Sequence, residues 1–131
     1  MDAYLDTAPV IYLVENVAPW EAAVRAFLAL DELRPRVSVL TRMECRVQPL
    51  REGNIALLED DDEFFASLPA GLLALDARVF EKATELRARH NFKTPDALHL
   101  AAAIEGGCQI FLTNDAQLAR CTEIRVEVLQ P

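Results

Sequence analysis

The sequence predicts a single α/β domain built on a mostly parallel sheet with helices on both faces. Three observations lead there. Five short segments read as strands, and most are unbroken apolar runs rather than strict alternations, which suits strands covered on both sides. Segments with a 3.6-residue apolar period lie between them. The two kinds of segment alternate as β-α-α-β-α-α-β-α-α-β-α-β, the pattern that winds a parallel sheet. A length of 131 residues fits one domain spanning residues 1–131, large enough to bury an ordinary core.

The strand segments are Ala3–Asp6, Arg36–Leu40, Gly71–Leu75, Cys108–Thr113 and Arg125–Leu129. Helical periodicity runs from Pro19 to Leu33 through Trp20, Val24, Phe27 and Leu28. It returns from Asn54 to Leu68, from Asp76 to Arg89 and, rich in alanine, from Pro95 to Ile104. The acidic run Glu59–Glu63 interrupts the second of these patterns and reads as a solvated face or bend.

Apolar residues make up 52% and charged residues 26%, which excludes disorder and collagen. The net charge of −8 argues against nucleic-acid binding through a broad basic face. It leaves open a nucleic-acid enzyme whose acidic site turns cationic with bound metal. Cys45, Cys108 and Cys121 are odd in number, contain no C-x-x-C pair and have only His90 and His99 for company. They read as small hydrophobes in a reducing cytoplasm, not as a disulfide framework or zinc site. No stretch reaches the ~18 apolar residues of a membrane span, and Asp2 and Asp6 do not open a signal peptide.

In a parallel sheet, ligands bind beyond the carboxyl ends of the strands, where strand order reverses. Asp6-Thr7, Thr41 to Glu44, Asp76 and Thr113-Asn114-Asp115 all follow predicted strands, and Asp96 lies in a first helical turn behind Thr94 and Pro95. Helix capping alone accounts for any one of them, and Thr41-x-x-Glu44 is itself a capping-box pattern. Together they imply more. Asp6 and Asp115 end strands expected at the sheet centre, and Asp96 opens an alanine-rich helix able to pack closely. Crowded carboxylates repel unless a proton or cation intervenes, and a hard divalent cation suits oxygen ligands. Asp76 ends an expected edge strand and reads as a cap only.

No phosphate loop, dinucleotide fingerprint or G-x-S-x-G elbow occurs. His99 stands three residues after Asp96 and reads as a packed helix histidine. Nothing beside Cys45 activates it as a nucleophile.

Leu5-Asp6-Thr7, the Ser38–Glu44 segment, Lys93-Thr94-Pro95-Asp96-Ala97-Leu98-His99-Leu100-Ala101 and Phe111-Leu112-Thr113-Asn114-Asp115 resemble the PIN domain, more narrowly the VapC toxins of toxin–antitoxin pairs. The resemblance covers the whole chain in order. It implies a three-layer α/β/α sandwich and an endoribonuclease dependent on Mg²⁺ or Mn²⁺. It also implies that Asp6, Glu44, Asp96 and Asp115 are both catalytic residues and metal ligands, with Thr113 and Thr7 in support. Where many members carry Asn two residues after the first acid, this chain has Ala8-Pro9.

On that footing Asp6 is a ligand shared between metals, Asp96 and Asp115 serve one and Glu44 the other. Arg42 and Lys93, with Arg46 and Arg51 nearby in sequence, are candidates for RNA phosphates. The implied partners are the RNA substrate, a cognate antitoxin and a second copy in a homodimer, with no membrane. The segments Pro19–Leu33 and Asn54–Leu68 offer amphipathic faces for a groove. Two other readings of the same residues are an aspartate-based phosphoacceptor or phosphatase, and a non-catalytic protein-binding module.

Overall fold

The computed structural model describes residues 1–131. Its five strands are all parallel, in the order β3-β2-β1-β4-β5. β1 (Asp2–Leu5) is central. The chain moves outward through β2 (Arg34–Ser38) and β3 (Leu72–Leu73), then crosses back to lay β4 (Ile110–Thr113) and β5 (Arg125–Val128) on the other side of β1. The strand order therefore reverses between β1 and β4, as a doubly wound sheet requires for a ligand crevice.

Side chains alternate across this sheet and fill two cores. On one face Tyr4 and Phe111 stack, their ring centroids 5.3 Å apart, beneath α5 (Ala77–His90) and α6 (Thr94–Glu105). On the other, Leu5, Val37 and Leu112 meet Val10 of α1 (Thr7–Val14), Val24 of α2 (Trp20–Leu30), Cys45 of α3 (Val39–Glu52) and Phe65 of α4 (Ile55–Ala66). Helices on both faces make the three-layer sandwich that the sequence implies. In α6, Ala97, Ala101, Ala102 and Ala103 are fully or almost fully buried, so small side chains bring that helix close to the sheet.

Strand ends shift by a residue or two elsewhere, and four larger departures from the sequence expectation each have a local reason. β2 ends at Ser38 rather than Leu40. Ser38 Oγ accepts from Leu40 N at 3.2 Å and Thr41 Oγ1 accepts from Ser38 N at 3.1 Å, a reciprocal cap that starts α3 at once. This cap replaces the expected Thr41-x-x-Glu44 box and leaves the Glu44 side chain free for other work. β3 shrinks to two residues because β2 has turned into helix and offers no partner beyond Ser38. The acidic run does not bend: α4 continues through it, with Asp61 turned inward and 3% exposed while its four neighbours face solvent. The last helical segment is a 3-10 turn, Ala116–Arg120.

Asp76 caps α5 by accepting from Val79 N at 3.1 Å. It shares a pocket with Glu105 and Gly106 at the far end of α6, the opposite end from Asp96. The three cysteines are free and buried.

Candidate active site

The carboxyl edge of the sheet assembles around Asp6. Its backbone N–H donates to Leu112 O at 2.9 Å, so the β1–β4 ladder extends one residue and fixes the position of the side chain. Oδ1 accepts from Thr7 N at 2.9 Å, which caps α1. Oδ2 accepts from the Thr113 hydroxyl at 2.8 Å. That same hydroxyl oxygen accepts from Asp115 N at 3.1 Å. Fully buried Thr113 thereby ties the ends of β1 and β4 together. Asp115 spends Oδ1 on Gln117 N at 2.9 Å, capping the 3-10 turn.

Glu44 reaches this edge from the second turn of α3. Thr7 Oγ1 donates to its Oε1 at 2.5 Å, and His99 Nε2 lies 2.6 Å from the same oxygen. His99 Nε2 is also 3.9 Å from Asp6 Oδ1, so one ring stands between the two acids. The other ring nitrogen, Nδ1, is 2.7 Å from the Tyr4 hydroxyl. Tyr4 donates to Ser38 Oγ at 2.8 Å and lies 3.2 Å from Thr41 Oγ1. Tyr4, Ser38, Thr41 and His99 are all buried, and a chain of satisfied polar groups under a site rigidifies it.

Asp96 projects from the first turn of α6. It shares with Asp115 a polar cleft of about 280 Å³, whose wall also includes Asn91, Lys93, Gln117 and Arg120. Unlike Asp6 and Asp115, neither Glu44 nor Asp96 caps a helix.

The acids are not equivalent electrostatically. Burial raises the Asp96 carboxyl above the usual range, and the charges of Asp6 and Asp115 push it further, against smaller opposing pulls from His99 and Lys93. Burial alone would raise Glu44 too, but hydrogen bonds from His99 and Thr7 outweigh it and hold that carboxyl low. Cys45, next in sequence, is pushed up to about 12 mainly by burial and is an inert thiol at neutral pH.

The structure thus brings Asp6, Thr7, Glu44, Asp96, Thr113 and Asp115 to one edge. No three of the four carboxylates bring oxygens within 4.8 Å of one another. Arg42 is elsewhere: it pairs with Asp62 at 3.3 Å, alongside Arg46 at 2.6 Å. Lys93 lies at the cleft, and Arg51 sits in the last turn of α3. His99, read from sequence as packed, is packed and also joined to Glu44. Its spacing of three from Asp96 was the available signal. Tyr4 and Arg120 carried none. A separate group, His90, Cys121 and Glu123, also gathers potential ligand atoms within 4.8 Å. There Glu123 is engaged by Arg89, His90 and Thr122, and its carboxyl is drawn to about 2: burial opposes the shift, and the hydrogen bonds from these three outweigh it.

The model of the PIN domain family matches residues 3–124. No curated protein sequence matches the chain. Among solved structures, a chain of VapBC2 from Rickettsia felis, crystallised bound to a DNA fragment from their promoter, superposes with a TM-score of 0.79 at 17% identity, covering 98% of each chain. DNA-bound VapBC from Salmonella typhimurium gives 0.72 at 22% identity, again over 98% of each chain. FitAcB from Neisseria gonorrhoeae gives 0.74 at 18% identity over 95% of each chain. At these identities the likeness is one of fold.

Proposed function

The chain belongs to the PIN domain family, and we propose that it is a divalent-metal-dependent endoribonuclease serving as the toxin of a toxin–antitoxin pair. The observation that carries this reading is the coupling of Asp6, Asp96 and Asp115. Asp6 and Asp115, from positions far apart in sequence, raise the cost of ionising Asp96 at the point where strand order reverses. Capping explains one oxygen each of Asp6 and Asp115 and nothing of Asp96 or Glu44.

The four carboxylates offer the oxygen donors that suit a hard divalent ion, and the nearby His99 ring is already engaged by Glu44 and Tyr4. Asp6, Asp96 and Asp115 would hold it, with Glu44 on the far side of Asp6 available to a second. Such an ion, Mg²⁺ or Mn²⁺, supplies charge neutralisation at a phosphodiester and an activated water.

The protein's own groups supply orientation. Thr7 N and Thr113 Oγ1 hold both oxygens of Asp6 in place. Thr7 Oγ1 and His99 keep Glu44 ionised and aimed at the same edge, and Tyr4 locks the His99 ring. Preorganised carboxylates need no rearrangement cost at the moment of reaction.

The toxin reading rests on the complexes in which structurally similar chains crystallised. An apolar groove of about 340 Å³ between α2 and the C-terminal strand, lined by Ala23, Phe27 and Leu129, suits a helix of an antitoxin or a second copy. A cytoplasmic location belongs to the same reading, and no helix is long and apolar enough to cross a membrane.

The test is cleavage of total RNA with and without EDTA, with new 5′ ends mapped. We expect EDTA-sensitive cleavage that disappears when all four acids become alanine while circular dichroism is unchanged. Cleavage persisting in that variant would overturn the assignment.

A further inference from the structure

The chain carries thirteen Lys and Arg residues against twenty-one Asp and Glu. With acids in such excess, a basic side chain without a carboxylate partner is uncommon. All but four of the thirteen are in salt bridges. The four are Arg51, Arg87, Lys93 and Arg120. Arg87 is committed through Nε to the Phe92 carbonyl at 2.9 Å. Lys93 and Arg120 face one cleft, the one that also contains Asp96 and Asp115.

Both are open to an outside anion, and Arg120 is held in place for one. The Arg120 guanidinium lies over the Phe92 ring, 4.9 Å from its centroid, and Nε donates to Gln117 O at 3.1 Å. These two contacts fix the plane of the fork and leave both terminal nitrogens to donate in parallel, the geometry that matches phosphate oxygens. Lys93 occupies the N-cap position of α6, where its ammonium, a donor only, has no helix group to bond, and it is in no salt bridge.

We propose that Lys93 and Arg120 form a phosphate subsite that takes the phosphate next to the scissile one on a single RNA strand. This rests on the ribonuclease reading of the adjacent acids. A strand whose reacting phosphate lies at Asp96 and Asp115 continues into the cleft those acids share with the two cations. At about 280 Å³ the cleft is at the small end of ligand sites and admits a phosphate with its sugar rather than a duplex. Only Phe92 and Leu118 of its lining are apolar and both are buried, so it offers no anchor for the side chains of a peptide. The subsite also answers how a protein of charge −8 holds RNA: through two local cations rather than a basic face.

The test measures binding of a fluorescent, hydrolysis-resistant octamer of phosphorothioate 2′-O-methyl uridine in Mn²⁺, as a function of salt. Lys93→Ala and Arg120→Ala should each weaken binding about tenfold and lower the slope of log affinity against log salt by about 0.7, and the double variant by about 1.4. Arg120→Lys should recover part of the affinity, and Arg51→Ala should match the unaltered protein. Melting temperatures of all variants should agree, since both side chains are exposed. Unchanged slopes, an equal effect of Arg51→Ala, or no binding by the unaltered protein overturns the proposal. So does equal competition by an octaglutamate peptide, which would assign the cations to an acidic protein segment. Cleavage is not read in this experiment, so the ribonuclease assignment fails or stands separately.

Discussion

The two edges of the sheet carry acids in opposite company. At the amino edge Asp2 receives Arg34 at 2.7 Å and Arg36 at 3.1 Å. The Arg34 hydrogen bond, helped by Arg36, lowers its carboxyl below the ordinary range against the opposing effect of burial. At the carboxyl edge no arginine or lysine forms a salt bridge with Asp6, Glu44, Asp96 or Asp115, and the Asp96 carboxyl is raised. The same side-chain chemistry is neutralised from within at one edge and left for an external cation at the other. The local strain of gathering like charges is what a binding site costs and what a purely structural edge avoids.

The sharpest way to break this comparison is to neutralise one acid at each edge. Asp96→Asn should reduce divalent-dependent cleavage by about 10²-fold or more, in single-turnover assays. It should raise the melting temperature at neutral pH, because it removes a charge that the fold disfavours. Loss of stability together with cleavage would mean that Asp96 is structural.

Tyr4→Phe comes next. It deletes the hydroxyl shared by Ser38, Thr41 and His99 and leaves buried partners unsatisfied, a cost of about 1–3 kcal/mol measurable by urea unfolding. Cleavage should fall with it, because the His99 ring loses the group that aims it at Glu44.

Asp61 supplies a third case, an uncompensated acid away from the site. Its Oδ2 is enclosed without a hydrogen-bond partner, and burial raises its carboxyl to about 6; Arg46 pulls it back, while the charges of Glu15, Asp62 and Asp60 add to the rise. The folded state holds this proton more tightly than the unfolded chain, so stability is lost as pH rises from about 4 through about 6. Asp61→Asn should flatten that segment of the pH–stability curve and stabilise the protein at pH 7 by about 1–2 kcal/mol, with cleavage unchanged.

The smallest effect belongs to Asp2→Asn. The Asp2 carboxyl is lowered in the fold, so its stabilisation is present above the unfolded value near 3.8 and is lost as pH falls below it. Removing the charge should cost about 1 kcal/mol at pH 7 in thermal unfolding, with cleavage untouched.

What the sequence disclosed follows from how local each signal is. Asp6, Asp96 and Asp115 were legible because each sits directly at the end of an apolar strand or the start of an apolar helix, and parallel winding puts those ends on one edge. Glu44 was legible by resemblance but assigned locally to the wrong cap, since the Ser38–Thr41 reciprocal pair looked like the end of a strand. The partners of His99 were hidden because Tyr4 is 95 residues away in the chain and faces it only once α6 has packed on β1. The acidic run was misread because counting charges does not reveal that Asp61 falls on the inward side of a continuous helix. Arg42 and Arg120 show the same limit: which arginine is free depends on where Asp62 lies, a tertiary fact.

The central claim is that Asp6, Asp96 and Asp115 form one site for a divalent cation. Thermal unfolding under increasing Mn²⁺ tests it without any RNA. A cation that binds only the folded state must stabilise it, so the melting temperature should climb with Mn²⁺ in the unaltered protein and stay flat in Asp96→Asn. A flat response in the unaltered protein, or an equal climb in both, would contradict the account.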